Sequence, residues 1–506
     1  MSEQPAADPA VEVTARRGTV SGGLWNAAAT VLPMGSTLAL SIVISRELGA
    51  AVLGEQSVIA YVASLLVSVF IFSFTTASIQ LLATAVGARD DDRLAWLARW
   101  SGSAHLSGGV LAAALMTGIG IFRDDYKLLW FLAAATALVD ALGWSRTVRD
   151  IAHRGWTRTS RRRLVAQAAA PLMSIAAIYL GWGIEGVFTA QLVVAVGLLT
   201  SLAFLDRTLP HPPRRRAGRP DWRPVARTWL MFTGSLLISQ IVQRRIELVF
   251  LDQYHDGPTV AMFSVAANVI TIPVVLTSTL IGASLPAIAA RYVQDPDVVT
   301  AVMGRTARVV CTLGVLLSAA TLAVGPGLVR TAYGAEFTQA AEIVRYLALM
   351  LLVVPLGQVC TTLWTGIGRL TPVLWSGGTA AAVDVLLSLV LIPPFSLTGA
   401  IIATFAAQTV GAVLILGYTV RRGIALQLAP LRLLAAVLVS AVAAAAAILV
   451  RAEVDGLLGD LAAGTVFLVL AAVGVRLARV FAPADLGWLA DALPGPVGRG
   501  VRLLAP

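Results

Sequence analysis

Trp229–Leu251 reads WLMFTGSLLISQIVQRRIELVFL, apolar enough to span a bilayer, yet it carries Gln240, Gln243, Arg244, Arg245 and Glu247. A charge at the bilayer centre costs about 2.5–3.5 kcal/mol on insertion scales, so such residues face a protein interior or a watery cavity. In a continuous helix Gln240, Gln243, Arg244 and Glu247 share one face, being three, four or seven positions apart. Arg245 then points elsewhere, toward the side that also carries Asp252. Two readings compete. The helix lines a polar, partly cationic cavity, or its arginines pair with acids only to hold helices together. We take the first as the working expectation.

Composition places the rest of the chain in the same environment. The 506 residues are 57% hydrophobic and only 13% charged, with mean hydropathy +0.81. That is far more apolar than a typical soluble domain, so the chain reads as an all-α, polytopic membrane protein. Fourteen apolar spans are expected, near residues 22–45, 53–86, 97–121, 128–147, 164–181, 184–205, 228–251, 259–290, 306–329, 341–366, 372–393, 397–420, 433–450 and 459–480. The second and eighth are long enough to tilt or to project beyond the bilayer. Residues 1–19 read as a short polar tail; the apolar stretch that follows is too long for a signal-peptide core.

The net charge of +10 raises the question of nucleic acid, and the positions of the basic residues answer it. Of 38 Lys and Arg side chains, 30 fall on the side of the two termini and 6 on the other, with Arg244 and Arg245 inside span 7. By the positive-inside rule both termini are cytoplasmic, and the basic excess is a membrane property rather than a nucleic-acid one. Lys127 is the only lysine, so no phosphate-binding G-x-x-x-x-G-K-[ST] loop exists. The Arg/Pro-rich segment 206–227 is the natural linker between two halves, 20–205 and 228–420. Ala168–Ala190 aligns without a gap on Ala381–Ala403, and Ser78–Ala83 on Ser284–Ala289. These offsets of 206–213 residues superpose spans 2, 5 and 6 on spans 8, 11 and 12. A shift of six spans preserves orientation, so the two lobes are related by an axis along the membrane normal. Spans 13 and 14 (421–480) lie outside the repeat, and 481–506 reads as a membrane-surface tail.

Several motifs carry no chemistry. Gly181–Gly186 satisfies G-x-G-x-x-G but falls at a turn between two spans, without the βαβ context that nucleotide binding needs. His105, His153, His211 and His255 lack metal-ligand spacing, and Cys311 and Cys360 sit in apolar segments as packing residues. No catalytic set and no cofactor is expected. Asp140 and Asp384 are the costly acids at membrane depth, and each needs a cation, a proton or water. Asp384 is a candidate for coupling to Na⁺ or H⁺, or for pairing with a nearby arginine.

Five stretches together resemble one family. They are Gly22-Gly23-Leu24-Trp25-Asn26; Ser45-Arg46-Glu47-Leu48-Gly49 followed by Leu53-Gly54; Arg245-Ile246-Glu247, where the family has R-x-D; Val260–Asn268; and Tyr333–Phe337 with Leu391-Ile392-Pro393 and Leu397–Ala400. In order and spacing the chain resembles the polysaccharide (O-antigen type) flippases of the multidrug/oligosaccharidyl-lipid/polysaccharide exporter superfamily. The resemblance implies two six-helix lobes around a central cavity plus two further helices. It also implies movement of undecaprenyl-diphosphate-linked oligosaccharide from the cytoplasmic to the outer leaflet of a bacterial inner membrane. Expected partners are that substrate, membrane lipids, and a polysaccharide polymerase or glycosyltransferases, with the chain acting as a monomer. Arginines suit a diphosphate through charge-assisted bonds. Arg244 and Arg245 are therefore the expected headgroup contacts, with Gln240 and Gln243 beside them and Glu247 and Asp252 as partners in the empty state. Arg46 and Glu47, with Asp140 and Asp384, are candidates for gating or coupling. The rivals are an ion-coupled drug antiporter of the same fold, a lipid II flippase and a non-transporting scaffold.

Overall fold

The computed structural model describes residues 34–88, 90–123, 125–152, 156–206, 222–243, 245–282, 296–424, 426, 428–454 and 456–492. Among these the regular structure is entirely helical. An apolar chain in hydrocarbon must satisfy its backbone within each segment, and a helix does this locally. The N-terminal half holds α1 (34–48), α2 (Ala50–Ala88), α3 (Asp91–Phe122), α4 (Lys127–Ala152), α5 (Trp156–Tyr179) and α6 (Gly183–Asp206). The second half holds α7 (Arg223–Val242), α8 (Glu247–Tyr254), α9 (Gly257–Gly282), α10 (Pro296–Tyr333), α11 (Thr338–Ala348), α12 (Val354–Gly366) and α13 (Thr371–Arg421). α14 (Pro430–Glu453), α15 (Gly456–Leu477) and the short α16 (Pro483–Ala492) follow.

Among the described residues ten helices are long and apolar enough to cross a membrane, and the pair Ala335–Leu352 and Val354–Gly366, bent by 45°, makes an eleventh if it is one broken span. α13 is two crossings. Ser396 breaks it at φ 49, and a Cβ added to Gly411 would lie 3.1 Å from that of Ala380, so its two legs run antiparallel. α1 and α5 are not among the helices long and apolar enough by themselves to cross, so the described residues show fewer crossings than the fourteen spans expected from sequence. The Gly22–Asn26 motif, most of the linker and residues 493–506 lie outside the described residues.

Two expectations need correction. The span expected at 228–251 is not one helix: α7 stops at Val242, Arg245 takes a left-handed φ of 74, and α8 starts at Glu247. The segment after span 14 does not simply lie on the membrane surface. Asp485 of α16 is tied to Arg308 at 3.3 Å, and Leu486 is buried against Val309, Val475 and Phe481.

The two long helices α2 and α9 meet where the lobes touch. A Cβ on Gly54 would lie 2.0 Å from the Gly257 carbonyl oxygen, so only glycine permits this backbone approach. One turn deeper Ser264 donates to Ser57 at 2.8 Å. Ser57 and Ser264 are 207 residues apart, within the 206–213 offset of the internal repeat expected from sequence. α14 and α15 pack outside the lobes against α10. There Asp460 is paired with Arg451 at 3.0 Å and accepts from Thr331 at 2.5 Å.

Candidate functional site: a broken span and an interlobe clasp

Nothing in QIVQRRIEL forbids a helix, since it holds neither proline nor glycine. Tertiary contacts make the break. The last carbonyls of a helix need partners, and Gln408, from the second leg of α13, donates to the Val242 carbonyl at 2.9 Å. Gln240 donates to Ser68 at 2.5 Å, inside a π-helical turn of α2, and its carbonyl accepts from Tyr61 at 3.2 Å. The left-handed backbone at Arg245 costs about 1–3 kcal/mol, which the surrounding contacts must offset.

The break turns Arg245 and Glu247 into the interior of the second lobe. Arg245 is 7% exposed, with its guanidinium 5.9 Å from the centre of the Phe263 ring. Glu247 is fully buried and accepts from Thr404. Asp384 is also fully buried, near enough to Glu247 and Arg245 to feel their charges. Both Asp384 oxygens, Glu247 Oε2, Arg245 Nη1, Gln240 Oε1 and the Ser388 hydroxyl lack a hydrogen-bond partner. Two acids and one arginine leave one negative charge in excess. Buried groups of this kind demand a proton, a cation or water.

The other expected residues sit elsewhere. Gln243 is exposed and accepts from Ser239 at 3.1 Å, so it does not share a face with Gln240 and Glu247. Arg244 lies outside the described residues. Arg245 turns away from Asp252, which binds Arg123 instead. Asp140 stays within the first lobe, with Arg163 as its neighbouring cation; that guanidinium covers the Trp144 ring at 3.4 Å and donates to Thr147 at 2.7 Å. His105 is packed between Thr75 and the Ser101 carbonyl, at 3.0 and 2.6 Å.

A second arrangement joins the lobes on the face that carries Gly49. Arg123, at the end of α3, bonds Glu55 of its own lobe at 3.2 Å and Asp252 of the opposite lobe. Arg46 donates to the Thr331 and Ala332 carbonyls at 2.5 and 2.6 Å, capping the end of α10 from across the interface. Ser41 meets the Tyr333 hydroxyl at 2.7 Å. Gly334, at φ 110, ends α10 where these donors arrive, and Gly49, at φ 87, allows the turn that presents Arg46. Glu47 is exposed and forms no ion pair among the described residues. Sequence reasoning missed Arg123, which it counted only as a loop charge, and Glu55, which lies inside the second expected span. It also missed Tyr61, Ser68 and Thr404, whose hydroxyls are ordinary in any apolar helix.

The comparisons with known proteins agree with this architecture. Residues 17–291, more than half of the chain, match the family described as polysaccharide biosynthesis protein. The chain belongs to that family. Among solved structures, lipid II flippase MurJ in an inward closed conformation aligns with TM-score 0.70 at 13% identity, covering 90% of this chain and 100% of that one. An inward-facing multidrug resistance MATE transporter of the MOP superfamily aligns with TM-score 0.63 at 17% identity, covering 78% and 94%. A MOP superfamily transporter from Pyrococcus furiosus aligns with TM-score 0.53 at 16% identity, covering 79% and 94%. No curated protein matches the sequence. At such identities the likeness is one of fold: the protein has the two-lobed, multi-pass fold of MOP superfamily transporters.

Proposed function

We propose that this family member moves a polyprenyl-diphosphate-linked oligosaccharide across the bacterial inner membrane by alternating access, with both termini cytoplasmic. One observation carries the reading: a buried, charge-bearing break in span 7, beside an interlobe contact in which polar clasps add to apolar packing. A diphosphate–sugar headgroup cannot cross hydrocarbon unaided, whereas its lipid tail can remain in the bilayer. Arginine matches a diphosphate by geometry and charge, so Arg244 and Arg245 are the proposed headgroup contacts. In the closed arrangement Arg245 lies within the electrostatic reach of Glu247 and Asp384 without a direct ion pair to either. The clasp of Arg46 and Arg123 would be the outer gate.

The excess negative charge at Glu247 and Asp384 suits one proton or one Na⁺, and we assign coupling to this pair. Asp140 does not enter this assignment, because Arg163 already balances it. The broader coverage of this chain by the lipid II flippase fold than by the multidrug transporter fold, 90% against 78%, favours a lipid-carried substrate over a free drug. A lipid II headgroup is the second reading, since it presents the same diphosphate. A strain depleted of the protein should accumulate one undecaprenyl-linked sugar on the cytoplasmic side. Accumulation of a polymer repeat unit supports the first reading and of lipid II the second; altered drug sensitivity with neither would sink both.

A further inference from the structure

We propose that Asp460, near the start of α15, is a positioning residue for the Arg46 clasp. It holds the end of α10 so that the Thr331 and Ala332 carbonyls meet Arg46 of the opposite lobe. The inference rests on the reading of that clasp as the outer gate, and it gives α14 and α15, which pack outside the lobes, a part in gating.

The end of α10 is weak by sequence. Pro326 stands inside the helix, seven residues before its last residue, Tyr333. Proline lacks the N–H that would bond the carbonyl four residues back, and its ring crowds that carbonyl. Gly327 follows, and glycine loses more chain entropy on entering a helix than any other residue. Residues 327–333 therefore need support from outside the helix. They also carry the groups that the opposite lobe grips: the Thr331 and Ala332 carbonyls, bound by Arg46, and the Tyr333 hydroxyl, which meets Ser41.

The hairpin of α14 and α15 supplies that support. Arg451, in the last turn of α14, pairs with Asp460 Oδ1 at 3.0 Å. The other carboxylate oxygen, Oδ2, accepts from the Thr331 hydroxyl at 2.5 Å. Asp460 is only 1% exposed, so its charge depends on these partners. The pair lies directly on α10. A Cβ on Gly327 would fall 2.0 Å from Asp460 Oδ1 and 2.3 Å from the Arg451 guanidinium carbon, so glycine is what lets the pair seat there. Gly327 and Thr331 are four residues apart and share that face. Thr331 is thus held from two directions, its hydroxyl by Asp460 and its carbonyl by Arg46. Arg46 forms no ion pair with Asp460 among the described residues, so the carboxylate acts on the clasp through Thr331.

Labelling of an interlobe cysteine tests the inference. Ser264→Cys, buried where the lobes meet, is placed in the full-length Cys311→Ala, Cys360→Ala chain, and intact cells are treated with a membrane-impermeant maleimide. Thr331→Val removes the hydroxyl and leaves the Arg451–Asp460 pair in place. It should raise the labelling rate about 2- to 10-fold, the range for loss of one hydrogen bond, whereas Thr331→Ser should label as the parent does. Gly327→Ala, which displaces the pair, should behave as Thr331→Val does. In an Arg46→Ala background Thr331→Val should add nothing, because the hydroxyl acts through Arg46; an unconnected structural loss would add in full. Parent-rate labelling in Thr331→Val beside faster labelling in Arg46→Ala would overturn the inference and leave the gate reading standing. Equally fast labelling in Thr331→Val and Thr331→Ser, or a full further increase in the Arg46→Ala background, would do the same. Unchanged labelling in Arg46→Ala and Thr331→Val alike would overturn the gate reading and the inference with it.

Discussion

Removing the carboxylate charge at Asp252 should open the lobes on the Gly49 face. Arg123 is held in its own lobe by Glu55 at 3.2 Å and lies 5.7 Å from the Trp130 ring centre, so Asp252 is its exchangeable partner. The side chains of Arg123 and Asp252 are 31% and 12% exposed. Unit charges 4 Å apart attract by about 4 kcal/mol at an effective dielectric of 20, and solvent screening reduces this for a partly exposed pair. A value of about 1–2 kcal/mol remains, so Asp252→Asn should shift the closed-to-open ratio about 5- to 30-fold. Ser264, buried at the interface opposite Ser57, reports the change once replaced by cysteine in a Cys311→Ala, Cys360→Ala background. A membrane-impermeant maleimide applied to intact cells should label that cysteine 5- to 30-fold faster in Asp252→Asn, within the same estimate. Restoration by the charge swap Arg123→Asp with Asp252→Arg would tie the effect to the pair. Equal labelling rates in Asp252→Asn and its parent would refute the reasoning. Labelling only in inverted vesicles would instead reverse the proposed orientation.

Three further outcomes follow from the geometry. Gly54→Val forces a side chain into the Gly257 backbone and should destabilise the closed lobes by about 1–3 kcal/mol, read as a lower melting temperature in detergent. Arg46→Ala removes both donors to the end of α10 and should raise labelling of the same interface cysteine, whereas Glu47→Ala should leave it unchanged. Asp256 caps α9, accepting from the Thr259 hydroxyl and, at 3.2 Å, from its backbone N–H, and these bonds hold its carboxyl below the usual aspartate range. A depressed folded-state pKa gives stability that is present above the unfolded value of about 3.9 and lost as pH falls through the folded value. Wild type should therefore lose stability relative to Asp256→Ala as pH is lowered from 5 toward 3 in a thermal melt.

The apolar crossings were legible because they are written in local composition, as runs of about 20 apolar residues. The turn at Gly49 and the chain reversal near Ser396 also left signals, in Arg-Glu-Leu-Gly and in the paired prolines Pro393 and Pro394. The break in span 7 left none. It depends on Gln408, 166 residues away from the carbonyl it caps, and on an interior that accepts Arg245. Helical spacing therefore placed Gln243 beside Gln240, where a continuous helix would have put it. The Arg123 clasp was hidden for the same reason, since its partners lie 68 and 129 residues away in sequence.

The most direct measurement is flipping itself. The purified protein is reconstituted in liposomes with an undecaprenyl-diphosphate-linked oligosaccharide, and a non-penetrating glycosidase scores the exposed headgroup under imposed Na⁺ or pH gradients. Transport is predicted to need one of these gradients. It should fall by at least about tenfold, roughly the effect of losing one charge-assisted contact, in Arg245→Lys at equal folded incorporation. Asp384→Asn should abolish the gradient dependence. Movement of the headgroup at the same rate in wild type, Arg245→Lys and empty liposomes would contradict the account.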